Sequence, residues 1–210
     1  MQTETMSDQE RQADEAAIAS LILRERHWRD CGEWDRMAEA YHPRSRVRLA
    51  FFDGTGPDFV TFSRTSTRQA MTKHRLSPSI VDVAGDRALA ETSVVVETRT
   101  MQDGVEVDLF VYCRYLNRVR RDGGLWRLAS VETVREKDTM RPVDPGAVLK
   151  LDPVRLAGYR SSYRFVSYNL DSRGVAPQPD LPGDDRPDLL RPLYAAAENW
   201  LRGSTPLEEL

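Results

Sequence analysis

Three long runs rich in valine, tyrosine and threonine constrain the fold more than any other part of this sequence. They span residues 88–100, 105–120 and 125–135, and they are separated by the turn sequences QDG at 102–104 and RDGG at 121–124. This pattern predicts an antiparallel meander of three strands joined by two hairpins. Because the runs are longer than ordinary strands, we expect the sheet to be strongly curved.

Two helices are predicted at the start of the chain. Ser7 and Glu10 have the spacing of a capping box, which opens a helix, and Gly32 has the position of a left-handed cap that ends it. Apolar residues recur at helical spacing between them, at Ile18, Leu21, Ile22 and Trp28. Glu25 falls on the same face, where it either pairs with Arg29 one turn later or lines a pocket. A second, short helix is predicted from its apolar residues, which are Trp34, Met37, Ala38 and Tyr41.

The stretch between the helices and the meander predicts smaller elements. Residues 47–52 and 80–83 are apolar and β-prone, residues 53–57 (DGTGP) predict a turn, and residues 58–71 predict a helix. Helices followed by long antiparallel strands indicate an α+β fold, in which the helices cover one face of the sheet.

The composition along the chain predicts the domain organisation. We expect residues 1–12 to be disordered or frayed and residues 13–140 to form the folded domain. From about residue 140 prolines cluster, yet aromatic residues remain frequent. Because aromatic side chains at that density rarely stay in water, residues 141–210 are expected to form an extension that packs on the domain or on a neighbouring subunit. Within the extension, residues 189–201 predict a short helix.

The sequence lacks the features that usually indicate several classes of function. The net charge is −3, and the basic run RVRR at 118–121 reads as a solvated strand end, so no nucleic-acid partner is expected. No Walker loop, dinucleotide fingerprint or hydrolase motif is present, and we expect no cofactor. The histidines at 27, 42 and 74 lack metal-ligand spacing, so no metal is expected. With no apolar leader, no run long enough for a membrane span and no cysteine framework, the prediction is a cytoplasmic protein.

The succession of these elements resembles the SnoaL-like branch of the nuclear-transport-factor-2-like superfamily. The matching stretches are AIASLILRERHWRDCGEWDRMAEAYH, KHRLSPSIVDVAGDRALAE and RDGGLWRLASVE, within residues 13–138. The resemblance implies a cone, in which a strongly curved, mostly antiparallel sheet wraps around N-terminal helices and encloses a deep pocket. It also implies a hydrophobic small-molecule substrate and a homo-oligomer, either a dimer or a trimer.

The resemblance further implies a base dyad formed by Asp30 and His74. In the dehydratase and dehydrochlorinase members, an aspartate at the end of the first helix partners a histidine that follows the third helix. On local sequence alone, Asp30 reads as a helix-end residue and His74 as a surface residue in a cationic run. A buried carboxylate would fix the histidine tautomer and stabilise the imidazolium that forms when the ring takes a proton.

Three positions depart from those members, so neither of their named reactions is expected here. Glu25 stands where the dehydrochlorinase has a lysine, and Val131 is matched to its arginine on the last strand. Thr98 or a neighbour stands where scytalone dehydratase has a second histidine. With no cation expected at position 25, Tyr41 or Tyr115 is the predicted group for stabilising developing oxygen charge.

The remaining predicted site residues line the pocket and bind the substrate: Phe59, Cys113, Tyr115 and Val131. Cys113 is expected to be lining rather than a nucleophile, because no base is evident beside it. The sequence thus predicts a cofactor-independent lyase that acts on an aromatic, possibly lignin-derived molecule and eliminates water or a small carbonyl such as formaldehyde. Two alternatives stay open, namely an isomerase or cyclase of a polyketide- or steroid-like substrate, and a non-catalytic binding module whose pocket is filled by phenylalanines.

Overall fold

The computed structural model describes residues 7–66, 71–204 and 206, which form an α+β fold. The elements in chain order are α1 Asp8–Cys31, α2 Trp34–Glu39, β1 Tyr41–Leu49, β2 Phe52–Thr55, α3 Gly56–Ser66, β3 Met71–Leu76, β4 Ile80–Ala84, β5 Arg87–Gln102, β6 Val105–Asp122, β7 Leu125–Pro142, α4 Pro153–Ala157, α5 Arg164–Ser172 and α6 Pro187–Leu201.

The sheet has the order β2-β1-β7-β6-β5-β3, and β4 pairs with the same edge of β5 as β3. The β1–β7 pair is parallel, whereas the other pairs are antiparallel. The two predicted hairpins are therefore confirmed, as β5–β6 and β6–β7. The curved sheet remains open rather than closing into a barrel, and β7 runs to Pro142, beyond the predicted end at residue 135.

An irregularity in the β6–β7 pairing determines which β7 side chains point inward. Cys113 pairs with Arg135, but the preceding residue Tyr112 pairs with Lys137, so Glu136 is an extra residue on β7. Such a β-bulge shifts the alternation of side chains by one position. As a result Arg135 and Asp138, three residues apart, are both buried.

Helix α1 packs against β3, β4 and β7 and forms the centre of the domain. Its predicted ends are confirmed, because Ser7 and Glu10 form a capping box and Gly32 has φ 77°. The buried residues of α1 are Ile18, Ile22, Glu25, Arg26 and Arg29, so the apolar face becomes charged over its last two turns. The segment 1–12, expected to be frayed, is helical from Asp8 onward, and residues 1–6 lie outside the described residues.

The smaller elements correct three sequence predictions. Tyr41 begins β1 instead of continuing the second helix, which ends at Glu39. The DGTGP stretch is divided between β2 and the start of α3, and the chain reverses earlier, at residues 50–51. Gly56 is needed there because an added Cβ would lie 2.3 Å from Ser45 Oγ and 2.5 Å from the Tyr41 ring. Helix α3 ends at Ser66, and Met71 belongs to β3, while residues 67–70 lie outside the described residues.

The extension packs against the sheet of its own chain. Helix α6, which includes the predicted helix 189–201, contacts β5 and β6, and its Trp200 is fully buried beneath the Arg87 guanidinium. Residues 182–184 pair with β7, since Arg135 N donates to Pro182 O and Asp184 N donates to Arg135 O, both at 2.9 Å. Arg118, predicted on a solvated strand end, is instead buried and paired with Glu132 at 2.6 Å.

Candidate active site

Asp30 and His74, 44 residues apart in the sequence, meet where the end of α1 crosses β3. The His74 Nδ1 atom lies 2.7 Å from Asp30 Oδ1, and the His74 backbone N–H donates to Asp30 Oδ2 at 2.7 Å. Lys73 Nζ donates to the Asp30 backbone carbonyl at 2.5 Å. Three contacts between β3 and the last turn of α1 thus hold the carboxylate against the imidazole edge.

This geometry determines which ring nitrogen of His74 is available. An ionised carboxylate only accepts hydrogen bonds, so Nδ1 must carry the proton and Nε2 the lone pair. Both side chains are largely shielded, with 4% of His74 and 10% of Asp30 exposed. Burial alone would raise the pKa of Asp30, but the hydrogen bonds and charge of His74 outweigh burial and hold that pKa below its ordinary value.

His74 lies on the wall of an enclosed cavity of about 110 Å³ inside the curved sheet. Strand residues form its apolar wall, including Leu49, Val96, Leu109 and Val111. Val166 of α5 also lines the cavity, so the extension contributes to it. For comparison, a cavity of about 150 Å³ is known to hold benzene. The enclosed space therefore corresponds to a ligand of about one small ring.

The polar side of the cavity contains arginines that the sequence analysis did not select. Arg26, Arg29 and Arg135 line the cavity together with His74 and Tyr115. A signal for the first two was present, because the spacing of Ile18 and Ile22 continues along α1 to 25, 26 and 29. For Arg135, the inward assignment of Val131 implied the same face at 133 and 135 by two-residue alternation.

Glu25 takes neither of the two roles that were considered for it. It is buried and paired with its neighbour Arg26, not with Arg29, and it does not line the cavity. The Tyr41 hydroxyl donates to Glu25 Oε1 at 2.7 Å and accepts from Arg26 Nη2 at 3.1 Å. Burial and the Glu25 charge hold the pKa of Tyr41 well above its ordinary value. Tyr41 therefore belongs to a buried network beside the cavity and not to its wall.

The other predicted lining residues are divided between the cavity and the core. Tyr115 lines the cavity, with its ring centroid 6.3 Å from that of His74, and Thr98 lines it as well. Phe59, Cys113 and Val131 are buried and do not line it. Burial raises the pKa of the Cys113 thiol to about 11, which agrees with a structural role.

Phenylalanines do not fill the cavity, contrary to what a binding module with a blocked pocket would require. Four of them pack on one another beside it, with centroid separations of 5.1–5.9 Å along the series Phe59, Phe52, Phe62 and Phe51. Phe51 alone of these lines the cavity. The Arg26 and Arg29 guanidinium groups lie 5.6 and 5.8 Å from the Phe59 ring centroid, so Phe59 supports two cavity arginines from outside.

The electrostatic environment keeps the His74 ring neutral. Burial, together with the charges of Arg26 and Arg29, lowers the pKa of His74 to about 4, although Asp30 acts in the opposite direction. Burial raises the pKa of the Tyr115 hydroxyl to about 12 despite three nearby arginines. At neutral pH the cavity therefore presents a free imidazole nitrogen, a protonated phenol and positively charged guanidinium groups.

This environment predicts a pH-dependent contribution of His74 to stability. Between pH 6.5 and about 4 the unfolded chain protonates His74 while the folded protein does not, so the free energy of unfolding falls as pH decreases, by up to about 3 kcal/mol. Asp138 acts oppositely, because burial raises its pKa to about 6. Its folded form then binds the extra proton, so the free energy of unfolding rises as pH decreases from 6 to 3.8.

The contributions of His74 and Asp138 partly offset one another in wild type, so single variants are needed to reveal each of them. Relative to wild type, His74→Gln should gain stability as pH falls from 6.5 to 4, and Asp138→Asn should lose it. Urea unfolding at pH 7, 6, 5 and 4 measures both differences. Variants whose stability remains parallel to wild type at every pH would contradict the assignment of neutral His74 and protonated Asp138.

Neither metal ligation nor a membrane span is evident in what the structure describes. Among residues 7–66, 71–204 and 206, no three His, Cys, Asp or Glu side chains are grouped as a metal site. Within the same residues, no helix combines the length and apolar character needed to cross a bilayer.

A curved, open sheet around a long helix, with a buried imidazole–carboxylate pair on an enclosed cavity, defines a nuclear-transport-factor-2-like cone. Within that superfamily, the chain belongs to the SnoaL-like family, whose domain model matches residues 10–132. The superfamily includes dehydratases, dehydrochlorinases and cyclases of small molecules. The predicted family and fold are thereby confirmed.

Similar proteins include fungal sequences and bacterial structures. A PEP2-like protein of Fusarium vanettenii is 30% identical, and pea pathogenicity protein 2 of the same fungus is 28% identical. Each match covers 90% of this chain and 88% of the relative. The crystal structure of a type 3 hexachlorocyclohexane dehydrochlorinase from Novosphingobium barchaimii is 16% identical with a TM-score of 0.57, and the match covers 70% of this chain and 100% of that one. The fungal matches must therefore include most of the extension.

Proposed function

We propose that this protein is a cofactor-independent lyase that acts on a small aromatic molecule and eliminates water or a small carbonyl such as formaldehyde. The observation that carries the proposal is the 2.7 Å contact between His74 Nδ1 and Asp30 Oδ1 on the wall of an enclosed cavity. With Nδ1 committed to Asp30, the lone pair on Nε2 is the base that a substrate in the cavity would meet.

The chemistry begins when Nε2 takes a proton from carbon or oxygen of the substrate. In a dehydration, the electrons of the broken C–H bond form a C=C bond while the neighbouring C–O bond breaks. The departing hydroxide takes back the proton held by His74, so water leaves and the ring returns to its starting form. Loss of formaldehyde starts instead from a hydroxymethyl O–H, whose electrons form the C=O bond of formaldehyde while the C–C bond breaks. The electron pair of that bond stays on the substrate carbon, which takes back the proton held by His74. Asp30 lowers the energy of the imidazolium intermediate in both cases.

Tyr115 is the residue suited to stabilise oxygen charge in this reaction. Its hydroxyl stays protonated at neutral pH, because burial raises its pKa to about 12, and its ring neighbours His74. A protonated phenol can donate a hydrogen bond to an oxygen as that oxygen gains charge. Tyr41, the other tyrosine considered for this role, already donates to Glu25.

Known dehydratases and dehydrochlorinases in the superfamily support the general reaction class. The name of pea pathogenicity protein 2 describes that Fusarium vanettenii relative and assigns no biological role to this chain. The specific assignment to a lyase rests on the dyad and the enclosed cavity. A dyad in a closed cavity could also shuttle a proton within one substrate, as an isomerase or cyclase does, and product mass separates the two because isomerisation leaves mass unchanged.

The experiment is turnover of a panel of hydroxylated and hydroxymethylated aromatic compounds, followed by mass spectrometry. We expect a product lighter by water or formaldehyde with wild type, and a loss of turnover of at least 100-fold with His74→Gln. His27→Ala, which alters an exposed histidine on α1, is the matched control and should retain wild-type rates. Undiminished turnover in His74→Gln would exclude His74 as the base, and a product of unchanged mass would exclude the lyase.

A further inference from the structure

We infer that the cavity contains a carboxylate-binding subsite formed by Arg29, Arg135 and Thr133, and that the substrate is a small carboxylic acid. This inference rests on the proposed function in one respect, namely that the bound acid is the molecule on which His74 acts. It names the chemical class of the substrate, which the dyad alone leaves open.

Unpartnered hydrogen-bond donors are the first observation. Among the described residues, Arg29 Nε, Arg135 Nε and Thr133 Oγ1 are buried and have no hydrogen-bond partner. All three side chains line the same cavity. A buried donor without a partner incurs the full free-energy cost of desolvation and gains no hydrogen bond in return. Native proteins therefore rarely leave several such donors in one place. An acceptor with two oxygens, bound between the two guanidinium groups, would satisfy them.

The weak pairing of two cavity arginines is the second observation. Arg26 is neutralised by Glu25, but Arg29 shares its nearest carboxylate, Asp30 at 3.8 Å, with His74. No carboxylate within the described residues lies within 4 Å of the Arg135 guanidinium. Asp138 acts on Arg135 only from beyond that distance. In the part of the chain that the structure describes, neither Arg29 nor Arg135 therefore has a carboxylate in hydrogen-bonding contact with its guanidinium, so an anion that enters the cavity would gain charge-assisted hydrogen bonds from both.

The bulge and the extension together hold Arg135 in this position. Glu136, the extra residue of the bulge, forms an ion pair with Arg114 at 2.7 Å on the other face of the sheet. The backbone N–H and carbonyl of Arg135 are bound by residues 182 and 184. Because the backbone of Arg135 is fixed by both strand pairing and the extension, only side-chain freedom is lost when an anion binds, which reduces the entropy cost of binding.

The size of the cavity limits the acid that can bind. A volume of about 110 Å³ corresponds to at most about one ring, and it is too small for a diaryl compound. The apolar strand residues opposite the arginines would contact the hydrocarbon part of the acid. The structure thus favours a single-ring or shorter carboxylic acid over the larger lignin-derived molecules considered above.

An acid in this subsite would also strengthen the base. The positive charges of Arg26 and Arg29 help to lower the pKa of His74, so an anion that pairs with Arg29 counteracts this effect. Substrate binding and base strength are then coupled. A neutral molecule of the same shape would not counteract the arginine charges, so His74 would remain a weaker base than it is beside the bound acid.

Binding of benzoate and propionate tests the subsite without requiring turnover. Calorimetric titration of the full-length protein should show binding of at least one acid, and the matching neutral amide, benzamide or propionamide, should bind at least tenfold more weakly. Arg135→Gln and Thr133→Val should each weaken acid binding, the former at least tenfold. Arg141→Gln, an exposed arginine on the same strand, is the matched control and should bind like wild type. Inorganic phosphate serves as the arm that detects a general anion site.

The outcomes separate this inference from the proposed function. Retained acid binding in His74→Gln, within about threefold of wild type, is expected whether or not the protein is a lyase. Equal binding of acid and amide, equal acid binding by Arg135→Gln and wild type, or binding of phosphate in preference to both acids would overturn the subsite. If Arg135→Gln unfolds, Arg135→Lys, which keeps the charge without the planar fork, should fold and still bind the acid more weakly. Unweakened binding in that variant would also overturn the inference.

Discussion

Replacement of Asp30 by asparagine is expected to lower turnover by about 10³- to 10⁴-fold while leaving the protein folded. The asparagine amide nitrogen would donate to His74 Nδ1, which forces the ring proton onto Nε2. Nε2 would then present a proton to the substrate instead of a lone pair, and the base would be lost. A comparable change of tautomer in serine proteases has an effect of about 10⁴ on turnover. The asparagine carbonyl can still accept from the His74 backbone N–H, which Asp30 now binds at 2.7 Å.

The measurement is turnover across pH 5 to 9, together with the melting temperature of each variant. Asp35→Asn is the matched control, because Asp35 is an exposed aspartate that pairs with Arg64 on the surface. This control should be indistinguishable from wild type in both assays. Wild-type turnover in a well-folded Asp30→Asn protein would mean that the carboxylate does not orient the base, and the dyad would no longer be a catalytic unit.

Replacement of Glu25 by alanine is expected to reduce the free energy of unfolding by about 3–5 kcal/mol. Glu25 and Arg26 form an ion pair in which each side chain is only 3% exposed, and Tyr41 hydrogen-bonds to both. Burial alone would lower the pKa of Arg26, but Glu25, with smaller contributions from Tyr41 and Tyr115, raises that pKa well above its ordinary value, so the guanidinium remains charged. Without Glu25, a fully buried positive charge would lose its counter-ion.

A double-mutant cycle separates the cost of the unpaired charge from the cost of a cavity. The protein with both Glu25→Ala and Arg26→Met should be more stable than Glu25→Ala alone, because it buries no unpaired charge. Glu33→Ala, which removes a partly exposed partner of Arg36, should change the free energy of unfolding by less than about 1 kcal/mol. Additive effects of the two substitutions in urea unfolding would contradict a buried, energetically coupled pair.

The sequence was sufficient for the elements whose signals are local. The two hairpins follow from turn glycines between β-branched runs, and the ends of α1 follow from its capping box and Gly32. The dyad needed more than local signals, because local sequence indicates only a helix-end residue for Asp30 and a surface residue for His74. Their pairing depends on β3 crossing the end of α1, a contact that came from the resemblance to a family.

The inward orientation of the cavity arginines was not predicted from the sequence. Glu25 was interpreted as a partner of Arg29 or as pocket lining and Arg26 was given no role, although the periodicity of Ile18 and Ile22 continues directly into them. Arg135 lies just before the bulge at Glu136, and a bulge depends on pairing with another strand. The register of β6 against β7 is a tertiary property, so alternation within β7 could not show that Asp138 also points inward.

The backbone pairing of Gly183 with Arg135 has a consequence for anyone who trims the protein to its family domain. Past Glu132, β7 has no pairing with β1, and residues 182–184 occupy that vacant edge. A shortened chain ending at residue 142 would retain Asp30 and His74. The β7 segment at Arg135 would lose its pairing with residues 182–184, and the cavity would lose Val166 from its lining. Kinetics measured on such a fragment would describe a cavity that is more accessible to water than the cavity of the whole chain.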